Sequence, residues 1–163
     1  MRPPLSVVMP VHNAGPFLAD AIGSVLDQTY SDFEFVILDD ASTDGSFEVA
    51  REWATQDPRI RLERSCTNLG LVGSSNAVVE LARADVIARM DADDISDPNR
   101  LARQWQVLSD HPDASLVGAL ADGIDARGRR VRPRDRWRIV RRSRWSPFPH
   151  GSVMLRRAPF ESV

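Results

Sequence analysis

The amino-acid sequence predicts an α/β protein with a mostly parallel, doubly wound sheet flanked by helices. Short apolar runs alternate along the chain with segments whose apolar residues have helical spacing, and the connections between them are short. Three of the predicted strands run into polar loops, with the sequences HNAG, DDAST and DADD. In a parallel sheet these loops fall on the same edge, which is where such proteins bind their ligands.

Most of these elements come from the first 120 residues. LSVVMPV (5–11) predicts a buried strand, and PFLADAIGSVLDQ (16–28) predicts a helix that begins with a proline suited to the first helical turn. DFEFVILDD (32–40) predicts the second strand, followed by Ser, Thr and Asp side chains that are able to cap the next helix. The further predicted strands cover 59–65, 85–90, 114–120 and 152–157, and the further predicted helices cover 46–56, 70–84 and 98–111.

The pattern is looser after residue 120. DGIDARGRRVRPR (122–134) predicts a turn or hairpin, and DRWRIVRRSRW (135–145) predicts a short amphipathic helix. A proline-rich loop then leads into the strand at 152–157. The whole chain is therefore expected to form one domain, which suits its length of 163 residues.

Composition indicates a cytoplasmic protein. Hydrophobic residues make up 42% and charged residues 27% of the chain, as in ordinary soluble domains. The sequence contains no apolar run of about 18 residues, so no membrane-spanning helix is expected, and its start is too quickly polar for a signal peptide. Cys66 is the single cysteine, which fits a reducing compartment, and we expect a half-buried thiol at a strand end rather than a nucleophile.

The basic residues are unusual in kind. All 21 are arginine, so every mechanism that needs a lysine is excluded, including the phosphate-binding loop GxxxxGK[ST] and Schiff-base chemistry. They are also unevenly placed, because residues 127–163 hold 12 arginines and 2 acids, whereas residues 1–126 hold 9 arginines and 21 acids. The overall charge of −2 therefore hides a strongly asymmetric distribution.

The arginine-rich segment 127–144 has three interpretations. It balances the charge of the acidic sheet edge and of a phosphate ligand, it lies against anionic lipid headgroups, or it binds nucleic acid. We favour charge balance, keep peripheral contact with the inner face of a membrane as the second interpretation, and expect no nucleic-acid partner.

The stretch RMDADDISDP places four carboxylates, those of Asp91, Asp93, Asp94 and Asp97, directly after a predicted strand. A solvated acidic loop is the simplest interpretation, but the position at the ligand-binding edge favours a site. A D-x-D pair suits Mn²⁺ or Mg²⁺, which take oxygen ligands and share phosphate oxygens. The nearby ligands are too few for a closed protein cage, so the ion would bridge the protein and a nucleoside diphosphate. Asp40, on another loop of the same edge, is placed to accept a hydrogen bond from a pyrimidine N3–H or from ribose hydroxyls.

Residues 5–105 resemble a known family densely. The stretches SVVMPVHNAGPFLADAIGSVLDQTYSDFEFVILDDASTDGS and NLGLVGSSNAVVELARADVIARMDADDISDPNRL, with PHGSVMLRR more faintly, are similar to the nucleotide-sugar half of family 2 inverting glycosyltransferases with the GT-A fold. The resemblance implies transfer of a sugar from a UDP- or GDP-type donor to a glycan or lipid-linked acceptor. It also implies that residues 1–120 form the nucleotide-sugar-binding half and that 121–163 begin the acceptor side.

The resemblance also implies roles for individual residues. Asp40 matches the carboxylate that contacts the base, and Asp39 would orient its loop. Asp91 and Asp93 match the metal-binding D-x-D, with Asp93 as the direct ligand and Asp91 nearer the ribose or a metal-bound water. The residues that would line the nucleoside pocket are Pro10, Val11, His12 and Asn13.

Three further residues are candidates for contacts to the donor or the acceptor. Asp94 would hold the acidic loop or contact the sugar, and Arg100 occupies the family's P-x-R-L position, with a helix-surface arginine as the alternative. His150, in PFPHGSV, matches a histidine near the acceptor side, with a structural role as the alternative.

The sequence departs from the family pattern in two places. The family often has A-R-N where this chain has Ser74-Ser75-Asn76, so one basic contact near the nucleotide is absent. The family's catalytic base lies beyond the MLRR strand, in a segment that would begin where this chain reads APFESV, and Glu161 lies too early to match it. We therefore expect a chain that stops before the general base, and we assign that base to no residue.

Two alternatives to an active transferase stay open. One is a nucleotide-sugar-binding remnant that binds the donor without turnover. The other is a receiver-type signalling domain or a phosphohydrolase, both of which use strand-end aspartates with Mg²⁺. Those proteins usually need a lysine, and a receiver has its acidic pair after the first strand, where this chain has HNAG.

Overall fold

The computed structural model describes residues 2–125, 129–131 and 149–158. The strands in this part are β1 Leu5–Val11, β2 Phe33–Asp39, β3 Ile60–Arg64, β4 Val86–Arg89, β5 Leu116–Val117, β6 Gly123–Ile124, β7 Arg130–Val131 and β8 Met154–Arg156. The α-helices are α1 Leu18–Leu26, α2 Ser46–Gln56, α3 Gly70–Leu81 and α4 Arg100–Asp110, and single 3₁₀ turns cover Gly15–Phe17 and His150–Ser152.

Six strands form one mostly parallel sheet in the order β3-β2-β1-β4-β8-β5. The central strand β1 pairs in parallel with β2, where Val11 lies beside Asp39, and with β4, where Val8 lies beside Arg89. β8 runs antiparallel to both of its neighbours, β4 and β5. The predicted α/β class with a largely parallel sheet is confirmed.

Alternation along the strands gives the sheet two apolar faces, as a doubly wound sheet requires. Val7 and Met9 of β1 belong to the larger core cluster, which also takes in buried residues of α1, α2 and α4. Val8, between them, belongs to a second cluster that includes Val78 of α3. The helices α1, α2 and α4 therefore cover one face of the sheet, and α3 covers the other.

The strands predicted at 114–120 and 152–157 are much shorter than predicted, each for a local reason. The strand predicted at 114–120 is limited to Leu116–Val117, since Ala119 exchanges hydrogen bonds with the hydroxyl of Ser152 instead of continuing along β8. The strand predicted at 152–157 begins at Met154, because His150–Ser152 forms a 3₁₀ turn. Cys66 is exposed rather than half-buried, since β3 ends before it, at Arg64.

The hairpin predicted at 122–134 is found as the antiparallel pair β6 and β7, in the part of it that the structure describes. The amphipathic helix predicted at 135–145, and the arginine-rich segment 127–144 apart from 129–131, lie outside the described residues. Those two predictions stay as they are. Within the described ranges, none of the helices combines the length and apolar character needed to cross a bilayer.

The strand order reverses at β1. The chain adds β2 and β3 on one side of β1 and then returns to place β4 on the other side. Such a switch point opens a crevice at the carboxyl ends of the strands. The loops after β1, β2 and β4 therefore meet around one space, and these are the three polar loops of the sequence.

Candidate functional site

A cavity of about 700 Å³ lies at this carboxyl edge. Its wall consists of the loops after β1, β2 and β4, the start of α3 and the turn at His150. Eight of the predicted site residues line it: Pro10, Val11, His12, Asn13, Asp40, Asp91, Asp93 and His150. The remaining two, Asp94 and Arg100, line a neighbouring cavity of about 830 Å³ on the other side of the acidic loop.

Asp40 forms one end of the first cavity. It is 1% exposed, and its backbone N–H donates to the carbonyl of Val11 at 2.7 Å, which holds the loop after β2 against β1. Its Oδ1 accepts from the N–H of Leu69 at 2.7 Å. Since Leu69 precedes α3, this bond joins the loop after β2 to the start of α3 across the wall of the cavity.

Asp39, before it, is completely buried at the end of β2. Its Oδ2 accepts from the N–H of Ser42 at 3.3 Å and pairs with Arg64 Nε at 3.1 Å. These contacts order the loop that carries Asp40, as the resemblance implied. The next residue, Ala41, has φ +54°, so the loop turns through a left-handed conformation that a non-glycine residue seldom adopts.

The ring of His12 is held in one tautomer. Its Nδ1 lies 2.7 Å from the backbone oxygen of Asp40, and because a carbonyl only accepts, Nδ1 carries the proton. Nε2 is then an acceptor, facing the amide nitrogens of Asn68 at 3.1 Å and Asn13 at 3.3 Å. This end of the cavity therefore presents a neutral imidazole and two amides.

Asp91 forms the other end of the cavity. Its Oδ1 lies 3.3 Å from Arg89 Nη2, and its Oδ2 lies 3.4 Å from His150 Nδ1. Arg89 belongs to β4 and His150 to the 3₁₀ turn before β8, so a guanidinium and an imidazole from two neighbouring parts of the sheet meet at one carboxylate. Arg89 also reaches the hydroxyl of Ser75 on α3 at 3.5 Å.

Asp93 is exposed and lines the same end of the cavity. The described residues include no group of three or more His, Cys, Asp or Glu side chains arranged to hold a metal ion. Two carboxylates, from Asp91 and Asp93, nevertheless suit a hard divalent cation that completes its shell with phosphate oxygens and water. The donor set therefore fits Mn²⁺ or Mg²⁺ bound together with a diphosphate, and it does not fit a closed protein cage.

Asp94 faces away from the first cavity and lines the second one. Its pKa is raised, first because partial burial disfavours the charged form and then because Asp91 and Asp93 lie close to it, while His150 and Arg100 act in the opposite direction. The acidic loop therefore divides its carboxylates between two spaces, which the sequence did not indicate.

The alternative of a surface position for Arg100 is wrong. The residue is 8% exposed, and its guanidinium lies beneath the acidic loop, where Nη1 donates to the carbonyls of Arg89 at 2.9 Å and Gly151 at 3.2 Å. Burial lowers the pKa of Arg100 to about 10, and the charges of Asp94 and Asp91 partly oppose that shift. Arg100 remains a cation at neutral pH.

Four residues at the site were missed by the sequence analysis. Arg89 and Asn68 contact predicted site residues, as described above. Gly151 is buried so close to Asp91 that an added Cβ would lie 2.6 Å from its Cγ. Gln28, at the end of α1, reaches under the acidic loop and bonds the hydroxyl of Ser96 and the carbonyl of Asp97. In the sequence, two of these four residues could have been noticed. Gly151 in PHG and Gln28 in DQTY are a small and a polar residue that stand between apolar runs.

The fold and the site together define a class, an α/β protein that binds its ligand at the switch point of a mostly parallel sheet, beside a strand-end acidic pair. The sequence profile of "Glycosyl transferase family 2" matches residues 6–160. The chain belongs to this family.

Individual relatives agree with this assignment. The protein EpsE of Bacillus subtilis (strain 168) is 35% identical over 165 residues, which cover 99% of this chain and 59% of EpsE. A structure of the mannosyltransferase PcManGT from Pyrobaculum calidifontis, in complex with GDP-Man and Mn²⁺, matches 74% of this chain and 36% of its own, with a TM-score of 0.67 and 26% identity.

A structure of residues 1–349 of S. aureus TarS in complex with UDP matches 97% of this chain and 48% of its own, with a TM-score of 0.76 and 19% identity, and so shows the fold alone. The GT-A fold expected from the sequence is confirmed by these structural neighbours. The chain spans 59% of the length of EpsE and less than half of either structure.

Proposed function

We propose that this chain binds a nucleoside-diphosphate sugar and serves in the transfer of that sugar to an acceptor hydroxyl, with inversion and with help from a divalent metal ion. One observation carries the proposal: a single cavity at the switch point has a buried carboxylate, Asp40, at one end and the acidic pair Asp91 and Asp93 at the other. Membership of glycosyl transferase family 2 supports it, as does the likeness to a mannosyltransferase in complex with GDP-Man and Mn²⁺.

The base and ribose would bind at the Asp40 end. A buried carboxylate there accepts a hydrogen bond from an N–H of uracil or guanine, and an acceptor without such a partner would be costly to bury. The rest of the lining supplies neutral groups, the imidazole of His12 and the amides of Asn13 and Asn68, together with the apolar surfaces of Pro10 and Val11. This end therefore suits an uncharged heterocycle.

The diphosphate would bind at the Asp91 end. Asp93, with Asp91, would hold Mn²⁺ or Mg²⁺, whose charge stabilises a departing phosphate when the ion is bound. Arg89 offsets the charge of Asp91, which would otherwise repel an incoming phosphate, and the imidazole of His150 lies beside the same carboxylate.

Inversion requires the acceptor hydroxyl to attack the anomeric carbon from the side opposite the diphosphate. The new carbon–oxygen bond forms as the bond to the diphosphate breaks, and a carboxylate base takes the hydroxyl proton. We assign that base to no described residue. The acceptor would be a glycan or a lipid-linked glycan, approaching from the side of Asp94 and the second cavity.

Calorimetric titration tests the donor site. UDP and GDP are titrated into the protein with Mn²⁺ and again with EDTA. We expect one of them to bind in a metal-dependent manner. We expect Asp93→Ala to weaken that binding by about tenfold or more, since even indirect partners of a metal contribute about 10–100-fold.

The matched control is Asp97→Asn in the same acidic loop. Asp97 lines the second cavity, and its Oδ1 accepts from the N–H of Asn99, a bond that the asparagine oxygen is able to preserve. This variant should bind as the wild type does. Metal-independent binding, or equal losses in the two variants, would contradict the assignment of Asp93.

A further inference from the structure

We infer that Arg100 is a positioning residue for the donor site, because it connects the acidic loop to the turn His150–Ser152, which helps to line the second cavity. The acidic loop is defined as residues 90–97, and the histidine turn as His150–Ser152. The inference rests on the proposed function, since it concerns the seating of Asp91 in the same cavity. It assigns to Arg100 no contact with the donor.

The guanidinium of Arg100 bridges both segments and β4. Nη1 donates to the carbonyl of Arg89, the last residue of β4, and to the carbonyl of Gly151 in the histidine turn. Nε donates to the hydroxyl of Ser96 at 2.8 Å, near the far end of the acidic loop. One planar group therefore fixes the beginning of the loop, its end and the neighbouring turn relative to one another.

The burial of this cation calls for an explanation. A guanidinium that is 8% exposed loses most of its hydration, which is costly unless its hydrogen bonds are satisfied. Arg103, on the same helix, keeps its side chain exposed. Several polar contacts around the acidic loop converge on Arg100 or Ser96, so the cation serves to connect segments rather than to cover the helix surface.

The orientation of the Asp91 carboxylate depends on the two segments that Arg100 connects. The carboxylate lies beside the guanidinium of Arg89 from β4 and the imidazole of His150 from the histidine turn. Gly151, next to His150 in the histidine turn, packs so closely against the carboxylate that an added Cβ would lie 2.6 Å from Asp91 Cγ. Because Arg100 holds the carbonyls of Arg89 and Gly151 together, it sets the spacing of the groups that orient Asp91.

Arg156 provides a control with the same chemistry in another place. It is a partly buried arginine that also bridges backbone carbonyls, with Nε donating to Ala114 at 3.2 Å and Nη2 donating to Leu108 at 2.7 Å. Those carbonyls belong to the end of α4 and the loop before β5, away from the acidic loop. Removal of this side chain measures the cost of losing a bridging arginine without disturbing Asp91.

The experiment compares Arg100→Met with Arg156→Met in two measurements. The first is hydrogen exchange of the metal-free protein, read separately for peptides from 89–97 and from 149–153. The second is the affinity for Mn²⁺ in the presence of UDP or GDP. We expect Arg100→Met to accelerate exchange in both segments together and to weaken Mn²⁺ binding by about 10–100-fold. Arg156→Met should lower thermal stability while it leaves both readouts close to the wild type.

Each outcome decides the inference. Unchanged exchange at 89–97 and 149–153 in Arg100→Met overturns it, and so does acceleration in only one of the two segments. Equal effects of the two variants also overturn it, since they would mark general destabilisation. If the wild type binds neither nucleotide, the proposed function fails, and the exchange measurement still decides whether Arg100 couples the two segments.

Discussion

The carboxylate of Asp91 lies beside the guanidinium of Arg89 and the imidazole of His150, and against the backbone of Gly151. A residue with so many close partners has little freedom to reorient. The proposed metal and ribose contacts need a fixed carboxylate, and these three neighbours are what fix it. At the residue scale, the function of the site therefore depends on groups that never touch the donor.

Gly151→Ala is a direct test of this packing. An added Cβ would lie 2.6 Å from Asp91 Cγ, so the carboxylate or the turn has to move. We expect metal-dependent nucleotide binding to weaken by about tenfold or more, and stability to fall by about 1–3 kcal/mol, as for other overpacked sites. Calorimetry and urea unfolding measure the two effects.

Gly23→Ala is the control for that substitution. Gly23 lies in α1, where an added Cβ would meet only Trp53 Cη2 at an ordinary 3.8 Å. Alanine is the better helix former, so this variant should gain about 0.5–1 kcal/mol and bind nucleotide normally. Normal binding by Gly151→Ala would show that Asp91 is not seated by its neighbours.

The sequence indicated some of the residues at the site and not others, for a physical reason. Asp40, Asp91 and Asp93 follow apolar runs directly, so strand ends alone place them at the carboxyl edge of a parallel sheet. Arg100 opens α4 and Gln28 lies just after α1, and the importance of both depends on burial beneath a distant loop. The spacing of residues along the chain contains no information on which distant loop covers a side chain. For this reason the sequence supports a functional position and a helix-surface position for Arg100 equally well.

At the element scale, the position of β8 in the sheet could not be predicted from the sequence. Each run of β-forming residues was recognised, but β8 inserts between β4 and β5 and runs antiparallel to both. That insertion places His150 and Gly151 beside the end of β4. Strand order depends on pairing between distant segments, whereas periodicity reports only local structure.

The turn from α2 to β3 offers an element-scale prediction. Arg59 pairs with Asp57 at 2.7 Å, donates to the carbonyl of Leu26 at the end of α1, and lies 4.8 Å from the ring centroid of Phe33. The hydrogen bond from Arg59 lowers the pKa of Asp57 below its ordinary value of 3.8. The folded state therefore favours the ionised carboxylate.

We expect Asp57→Asn to lower the free energy of unfolding by about 1 kcal/mol at pH 7, as is usual for a partly exposed ion pair. A lowered pKa contributes stability that is present above the ordinary value and is lost as pH falls through the folded value. The difference between variant and wild type should thus shrink below pH 3.8. Urea unfolding at several pH values measures it, with Asp113→Asn in an exposed turn as the control. A difference that does not change with pH would contradict the ion pair.

At the scale of the whole molecule, the acidic loop separates two cavities that share one wall. Asp91 and Asp93 face the first, and Asp94 faces the second. In the proposed function, donor and acceptor would meet across this loop. Such a division follows from three-dimensional packing and could not be predicted from four neighbouring aspartates. The fold class, in contrast, could be predicted from the sequence, because alternating strand and helix patterns with short connections allow few other architectures.

The charge asymmetry also belongs to this scale. The arginines of 127–144 lie mostly outside the described residues, so charge balance and contact with a membrane surface both stay predictions. The described residues around the cavity include the carboxylates of Asp40, Asp91 and Asp93, so a diphosphate ligand would need a counter-charge. That need is what a metal ion at Asp93 would meet.

The most direct test of the central claim is a crystal structure with Mn²⁺ and UDP or GDP, with an anomalous difference map to locate the manganese. We predict an anomalous peak beside Asp93, a diphosphate next to it, and a base whose N–H donates to Asp40. A nucleotide bound outside the cavity that Asp40 and Asp91 enclose, or manganese bound away from Asp93, would contradict the account.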